Sequence, residues 1–389
     1  MSLKNKILSL PFAFELNAYR GERKLSAYYK GLRSHYNKML SVACDTLLAS
    51  KVQQYNITFR YNDKLRILFF YGGSGSWLDL HFRSTFARFG ECDELVFVDK
   101  PVLTQQEVDS NGRILSSYLV KKRDYDVIII GGSEGHIPQR ALTETMNRYH
   151  IPILNFQFDP KQRFKKVING VEHGSIEAAK GTLLTFTNAK YVVDWYLKEG
   201  CPAVYLAAGS NPDIYFSDPS VCKDIDVAFF GAKYGRRAQL VEYLAKNGIN
   251  ARGYGPGWDS GYLSFEKQNQ LMQRTKIALS HEGIGYSYWP TCIKLRTFDT
   301  ALAGTVLLTS YSSELPDWFR LNEEILCYYN FDDAVDIARY YLARPAELGR
   351  IAKAAQKRGL NEHTWWHRFD HIFGLLEAHV RKTDTATKL

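Results

Sequence analysis

Strands that are apolar on both faces, separated by stretches with helical spacing, constrain this chain more than any other feature. DVIIIGG (126–132), IPILNFQFD (151–159), GTLLTFTN (181–188) and AVYLAAG (203–209) lie in the first half, after RILFFY (66–71) and ELVFVD (94–99). DVAFFG (226–231), NARGYG (250–255), IALSHEG (277–283), TVLL (305–308) and ILCYY (325–329) lie in the second. A strand wetted on one face alternates apolar and polar residues; these runs do not, so helices cover both faces of a parallel sheet. LDLHFRSTFARFG (78–90) and RRAQLVEYLAKNG (236–248) read as such helices, each stopped by glycine.

The alternation pauses at SNPDIYFSDPSVCKDI and then restarts. With 389 residues, about two domains are expected. The fold predicted is α/β: two Rossmann-like doubly wound domains facing a cleft, preceded by an N-terminal helical extension. The expected boundaries are 1–62 for the extension, 63–216 for the first domain, 217–361 for the second, and 362–389 for a C-terminal helix crossing back to the first domain. In the extension, Leu25, Tyr28, Tyr29, Leu32, Tyr36, Met39, Ala43 and Leu47 form a stripe that predicts one helix from about Gly21 to Lys51. That helix either packs on the first domain or offers a surface to a membrane, an acceptor or another subunit.

No apolar run reaches the ~18 residues that a spanning helix needs, and MSLKNKILSLPFAF carries no small-residue cleavage site. The six cysteines are dispersed, without a C-x-x-C pair. They read as reduced thiols of a cytoplasmic protein rather than as zinc ligands. A net charge of +9 favours anionic partners, with basic clusters at 121–123 and 161–166.

Two nucleotide motifs are tested and fail. Gly73-Ser74-Gly75 follows a strand and Asp99 ends the next one, but the third glycine of G-x-G-x-x-G falls on Leu78. No Walker sequence is present. The stretch from His281 to Ser310 is more informative. Pro290 suits a first helical turn, leaving the N–H groups of Thr291 and Cys292 to point out of a helix end that binds phosphate. Asp299 then lies roughly 13 Å further along the axis, about the reach from a diphosphate to its ribose.

KLRTFDTALAGTVLLTSYSSELPDWF (294–319), the helical segments from Tyr328 to Phe373, DVAFFGAKYGRR and GYGPGW resemble the C-terminal half of CgeB-like, spore-maturation type glycosyltransferases of the GT-B fold. AKYVVDWYLKEG and YLAAGSNPDIYF resemble the segment leading into the hinge of that family. The likeness spans about residues 65–375, is strongest from 226 onward, and leaves residues 1–62 unaccounted for. The family usually has Glu where Asp299 stands. Many retaining relatives also carry an acid eight positions earlier, where this chain has Thr291, so the stereochemical course stays open.

The resemblance and the residues together imply a metal-independent transfer of a sugar, UDP-linked in the first instance, to a hydroxyl of a glycan, protein, lipid or modified DNA base. No cofactor is expected beyond the nucleotide sugar, and fixed cations take the place of a D-x-D-bound metal. Asp299 is assigned the ribose. Lys294, Arg296 and the helix start at Thr291 take the diphosphate, with Gly231, Lys233 and Arg236 as a second phosphate contact. Tyr254, beside Gly255 and Trp258, borders the base, and His281, Glu282 and Gly283 face the sugar or form a local turn. On the acceptor side, Gly72, Gly73 and Gly75 allow close approach. Asp79 is a general base or a helix cap, His136 is the rival base, and Asp159 is a third polar group. Two further readings stay open: transfer to a hydroxymethylated DNA base, and a non-catalytic nucleotide-sugar binding protein.

Overall fold

The computed structural model describes residues 11–61, 64–73, 77–100, 102–131, 135–158, 164–283 and 291–387; the side chains of 11–18, 22, 77–79 and 384–387 lie outside that description. The chain divides into two compact units. One holds the described residues up to Lys30 with Ala208–Thr364, and the other holds Gly31–Ala207 with Trp365 onward. The expected junction at 217 thus falls nine residues earlier, and the last helix leaves the second domain at Trp365.

The predicted single N-terminal helix is two, α1 (Pro11–Tyr36) and α2 (Cys44–Gln54). The break follows Tyr36, which is fully buried. Its ring stacks on Trp195 at 5.3 Å and its hydroxyl donates to Glu199 at 2.7 Å. That anchor outweighs the continuous stripe, because tertiary packing overrides helical propensity. Lys51 of α2 donates to the carbonyls of Lys180 and Thr182, at 3.3 and 2.6 Å.

The first sheet unit follows as β1 (Leu65–Gly72), α3 (Trp77–Phe86), β2 (Gly90–Phe97), α4 (Gln105–Lys121), β3 (Val127–Gly131), α5 (Gln139–Tyr149) and β4 (Ile153–Gln157). An antiparallel hairpin, β5 (Lys166–Ile168) and β6 (Val171–His173), comes next, then α6 (Ser175–Gly181), β7 (Leu184–Thr187), α7 (Lys190–Lys198) and β8 (Ala203–Tyr205). Its main sheet is parallel, in the order β2-β1-β3-β4-β7-β8.

The second unit runs β9 (Ile225–Phe230), α8 (Arg236–Lys246), β10 (Ala251–Tyr254), α9 (Phe265–Arg274), β11 (Thr275–Ser280), α10 (Leu295–Leu302), β12 (Val306–Ser310), β13 (Leu326–Tyr328), α11 (Phe331–Leu342) and α12 (Pro345–Glu362). Its parallel sheet has the order β10-β9-β11-β12-β13. The last helix, α13 (Trp365–Thr387), packs on the first unit. Trp365 meets Phe82 at 4.9 Å and Phe156 at 5.5 Å, and Phe369 meets Phe86 at 4.7 Å. Trp365, Phe369, Ile372, Phe373 and Leu376 are fully buried, each worth about 2 kcal/mol of burial.

Both sheets reverse direction beside their first strand. In the first, β1 has β2 on one side and β3 on the other; in the second, β9 stands between β10 and β11. Loops leaving the carboxyl ends of such neighbours diverge to opposite faces, and the crevice between them is where α/β sheets take ligands. The loops that matter are therefore those after β1 and β3, and those after β9 and β11. Among the described residues no helix is long and apolar enough to cross a membrane.

The loop after β9 is shaped by Trp258. Its indole lies on Gly253, where an added Cβ would come within 2.1 Å of the ring, and its N–H donates to the Gly231 carbonyl at 2.9 Å. Gly253→Ala should therefore lower stability by about 1–3 kcal/mol through overpacking, read from urea denaturation. A variant as stable as the parent chain would contradict this packing.

Candidate functional site

The crevice of the second unit is built around Arg296, in the first turn of α10. Its guanidinium donates through Nε to the Phe230 carbonyl at the end of β9, and through Nη1 to Ser280 Oγ at the end of β11, 2.8 Å away. It lies 4.3 Å over the ring of Phe229. Gly231 stands directly above: a Cβ there would meet Nη2 at 2.6 Å, and its φ of 137° is one that only glycine adopts readily. Burial and the nearby charge of Arg237 push the Arg296 pKa down to about 9, so the group stays charged at neutral pH. An exposed Arg296–Asp299 pair is excluded, because both residues are buried.

Asp299, one turn further along α10, accepts a hydrogen bond from Ser210 Oγ at 2.7 Å. Burial raises its carboxyl to about 7, against the lowering pulls of Ser210 and Arg296. Burial, and after it the charge of Asp299, raise the phenol of Tyr215, which accepts a hydrogen bond from Gln268 at 3.0 Å. Ser210 and Tyr215 were not legible as site residues. They belong to YLAAGSNPDIYF, which the sequence marks only as a hinge segment, and a pairing 89 residues apart leaves no local spacing to read.

The predicted helix start is corrected. α10 begins at Leu295 with Lys294 as its N-cap, not at Pro290, which lies outside the described residues together with Tyr286–Trp289. Thr291 bridges Gly283, and the Cys292 N–H donates to the Glu282 carbonyl at 3.1 Å. Neither amide is a free helix end. The fully buried Glu282 instead closes that end, its Oε2 accepting from the Lys294 N–H at 3.0 Å. Oε1 accepts from Ser280 and Thr309, at 3.0 and 2.9 Å. A carboxyl group thus already occupies the position where phosphate was expected, accepting from a backbone amide at the helix start. His281 is likewise buried, its Nδ1 3.3 Å from the Tyr328 hydroxyl, and Thr291 Oγ1 lies 3.2 Å from Ser312 Oγ.

Among the described residues, no side chain caps the start of α8. Its N-cap is Gly235, with φ of 58° and no capping side chain, and no acid stands in its first turn. Lys233, Arg236 and Arg237 surround it. Lys233 Nζ lies 5.0 Å over Trp258 and 3.9 Å from Glu242, while the Arg237 guanidinium sits 4.1 Å over Tyr234. Tyr254 stacks on Phe230 at 5.6 Å, and its carbonyl accepts from the Gly231 N–H at 2.8 Å. A helix dipole and clustered cations are the features that favour an anion at such an edge. Among the described residues no group of three or more His, Cys, Asp or Glu side chains is placed to hold a metal.

In the first unit, Gly72 ends β1 and Gly73 follows with φ of 79°, while Gly75 lies outside the described residues. Asp79 falls in the first turn of α3, with its side chain outside that description, as is Asp159 altogether. His136, after β3, is 3% exposed, and its Nδ1 lies 2.9 Å from Asp99 Oδ1 beyond the end of β2. A Cβ on Gly72 would strike the Asp99 side chain at 2.6 Å. The buried Asn111 of α4 joins the two strand ends. Its Nδ2 donates to the carbonyls of Val98 and His136 at 2.9 and 2.8 Å, and its Oδ1 accepts from the Val98 N–H at 2.9 Å.

Residues 236–374 match a family model described as glycosyl transferase-like. No curated protein is similar enough in sequence to be matched with the chain. Among solved structures, the sucrose-phosphate synthase of Thermosynechococcus elongatus is similar at 10% identity and a TM-score of 0.57, over 83% of this chain and 100% of that one. The Anabaena protein HepE, solved with UDP and glucose, is similar at 11% identity and 0.52, over 82% and 99%. An alpha-glucosyltransferase solved with UDP and a 13-mer DNA containing an HMU base is similar at 13% identity and 0.55, over 80% and 99%. The chain has the α/β fold of two Rossmann-like units found in GT-B glycosyltransferases, and its second unit with α13 carries the glycosyl transferase-like region.

Because the Asp299 carboxyl is raised from 3.8 to about 7, the unfolded chain loses this proton at lower pH than the folded one. The unfolded state therefore binds fewer protons between about pH 4 and 7, and stability falls as pH rises through that window. Asp299→Asn removes this slope while still accepting from Ser210. Its denaturation midpoint should exceed that of the parent chain at pH 8 and approach it near pH 4, with a ceiling of roughly 4 kcal/mol. Identical pH dependence in both proteins would refute the assignment.

Proposed function

We propose that this protein is a glycosyltransferase that takes a sugar from a nucleotide-diphosphate sugar, UDP-linked in the first instance, and transfers it to an acceptor hydroxyl. The observation that carries the reading is the cationic, uncapped start of α8 above Arg296, with the buried Asp299 one turn away on α10. Glycosyl transfer expels a diphosphate, and fixed donors aimed at that leaving charge lower the barrier because they need no reorganisation as it develops. Lys233, Arg236, Arg237 and the amides at the start of α8 supply them, with Gly231 allowing close approach, and the diphosphate sits on the loop after β9 rather than at the start of α10, where Glu282 already stands. Asp299 accepts from the ribose hydroxyls. Arg296 shapes the floor and adds charge from below. The cations do the work of a divalent ion, so the reaction runs without one.

The family match over the second unit supports the donor assignment, and the UDP named with HepE supports uracil as the base. A second reading concerns the acceptor alone. The net charge of +9, and the fold shared with a glucosyltransferase solved on HMU-containing DNA, favour a hydroxymethylated base in DNA.

Calorimetry with UDP and UDP-glucose in the presence of EDTA tests the donor site. Binding is expected, and Asp299→Ala or paired Arg236→Ala and Arg237→Ala should weaken it about tenfold or more, equivalent to about 1.4 kcal/mol. No binding of any nucleotide diphosphate, or unchanged binding by these variants, would overturn the reading. Binding without turnover on a broad panel would leave a nucleotide-sugar binding protein. Duplex affinity that does not weaken as salt rises would exclude the DNA acceptor, since phosphate contacts release counterions.

A further inference from the structure

The connection between α1 and α2 turns apolar side chains away from the core. Tyr36 fastens the end of α1, fully buried against Trp195, and the buried Leu48 and Val52 anchor α2. The stretch between the two helices, NKMLSVA (37–43), is thus held at both ends. Even so, Leu40 is 93% exposed, more than any other large hydrophobic residue described, and Val42 is 43% exposed. A lone exposed leucine needs no explanation; this one stands among cations. From Arg23 to Ala43 the chain carries Arg23, Lys24, Lys30, Arg33 and Lys38 and no acid. The next acid, Asp45, faces His379 of α13 at 3.2 Å. That contact sets α13 beside the connection, and Lys382, three residues on and therefore on the same helix face, is exposed. Arg381 already pairs with Glu377 at 2.9 Å, whereas among the described residues neither Lys38 nor Lys382 has a carboxylate partner. The connection, α2 and α13 all belong to one compact unit.

We infer that this connection docks the protein on an anionic lipid bilayer, with Leu40 and Val42 entering the headgroup boundary and Lys38 and Lys382 at the level of the lipid phosphates. The inference goes beyond the transfer reaction and does not depend on the donor site. Each half of the surface argues against a rival occupant. Nucleic acid would engage the cations, but contacts to its phosphates give no use to a leucine standing clear of the surface. A second copy of this chain would cover Leu40, but a two-fold contact sets the same cations against each other. An anionic bilayer satisfies both halves, because its surface potential attracts Lys and Arg while its acyl boundary takes the apolar tip. With so few anchoring groups, the attachment is reversible.

Co-sedimentation of the full chain with vesicles tests this, using phosphatidylcholine alone and phosphatidylcholine mixed in equal parts with phosphatidylglycerol. The parent chain should bind the mixed vesicles, bind phosphatidylcholine poorly, and lose affinity as salt rises. Leu40→Ser should weaken binding about tenfold or more, as withdrawing a leucine from an apolar phase does. Lys38→Glu and Lys382→Glu should each weaken it about fivefold or more. All three side chains are exposed, so melting temperatures should stay at the parent value. Tyr262, 78% exposed in the other unit, serves as the control, and Tyr262→Ser should leave binding unchanged. Absence of binding by the parent chain, or undiminished binding by Leu40→Ser, overturns the inference. Retention of duplex DNA in place of vesicles, or a dimer in sedimentation velocity that Leu40→Ser disperses, assigns the face to another occupant and overturns it as well.

Discussion

The ligand edge of the second sheet depends on one buried cation. A guanidinium withdrawn from water costs several kcal/mol unless its donors are met, and Arg296 meets them with a carbonyl from β9, a hydroxyl from β11 and the face of Phe229. Those contacts fasten α10 across the ends of two adjacent strands. They also dictate the loop above, because the guanidinium fills the volume a side chain at Gly231 would need. The same charge explains why two carboxyl groups can stand in so apolar a place. Removing Arg296 would take from Asp299 and Glu282 a cation that both feel, and would free the strand ends it fastens.

The two acids are used differently, and the difference lies in their hydrogen bonds. Glu282 is fully buried and accepts from the Lys294 amide and two hydroxyls, which uses about three of its four acceptor positions. Among the described residues Asp299 accepts from one side chain, Ser210, and burial raises its carboxyl to about 7. A carboxyl group so engaged as Glu282 is architecture; one with a single side-chain donor beside a cationic loop is a recognition group. This distinction favours the start of α8, which the sequence offers only as a second phosphate contact, over the start of α10, which it offers first.

Much of the fold was readable because its signals are local. Apolar runs such as DVIIIGG and DVAFFG can only be strands covered on both faces, and glycine stops after LVEYLAKN and its counterparts set helix ends within a few residues. What was missed is non-local or was passed over. The break after Tyr36 depends on Trp195 and Glu199, more than 150 residues away. The start of α10 depends on which partner the amides of 292 and 294 choose, and a buried Glu282 twelve positions upstream decides it. The β5–β6 hairpin is different: Asn169-Gly170, both with positive φ, between KVI and VEH is a hairpin turn that local chemistry does announce. Asp99 was weighed as a ribose acid and set aside with the failed dinucleotide motif. Its neighbour His136 is 37 residues on, and only sheet order brings them together.

The two crevices share a topology and differ in chemistry, and that difference is what a group transfer requires. The loop after β9 gathers Lys233, Arg236 and Arg237 around an uncapped helix, an arrangement that favours an anion and offers no base. Among the described residues, the loop after β3 offers a buried imidazole, His136, beside the carboxyl group of Asp99. A displacement at an anomeric carbon needs charge stabilised on the departing oxygen and a proton removed from the arriving one. Had both edges been cationic, binding two phosphates would be the natural conclusion. The contrast in residue types at the ligand edges of two similar sheets favours reading the chain as a transferase rather than as a binding protein.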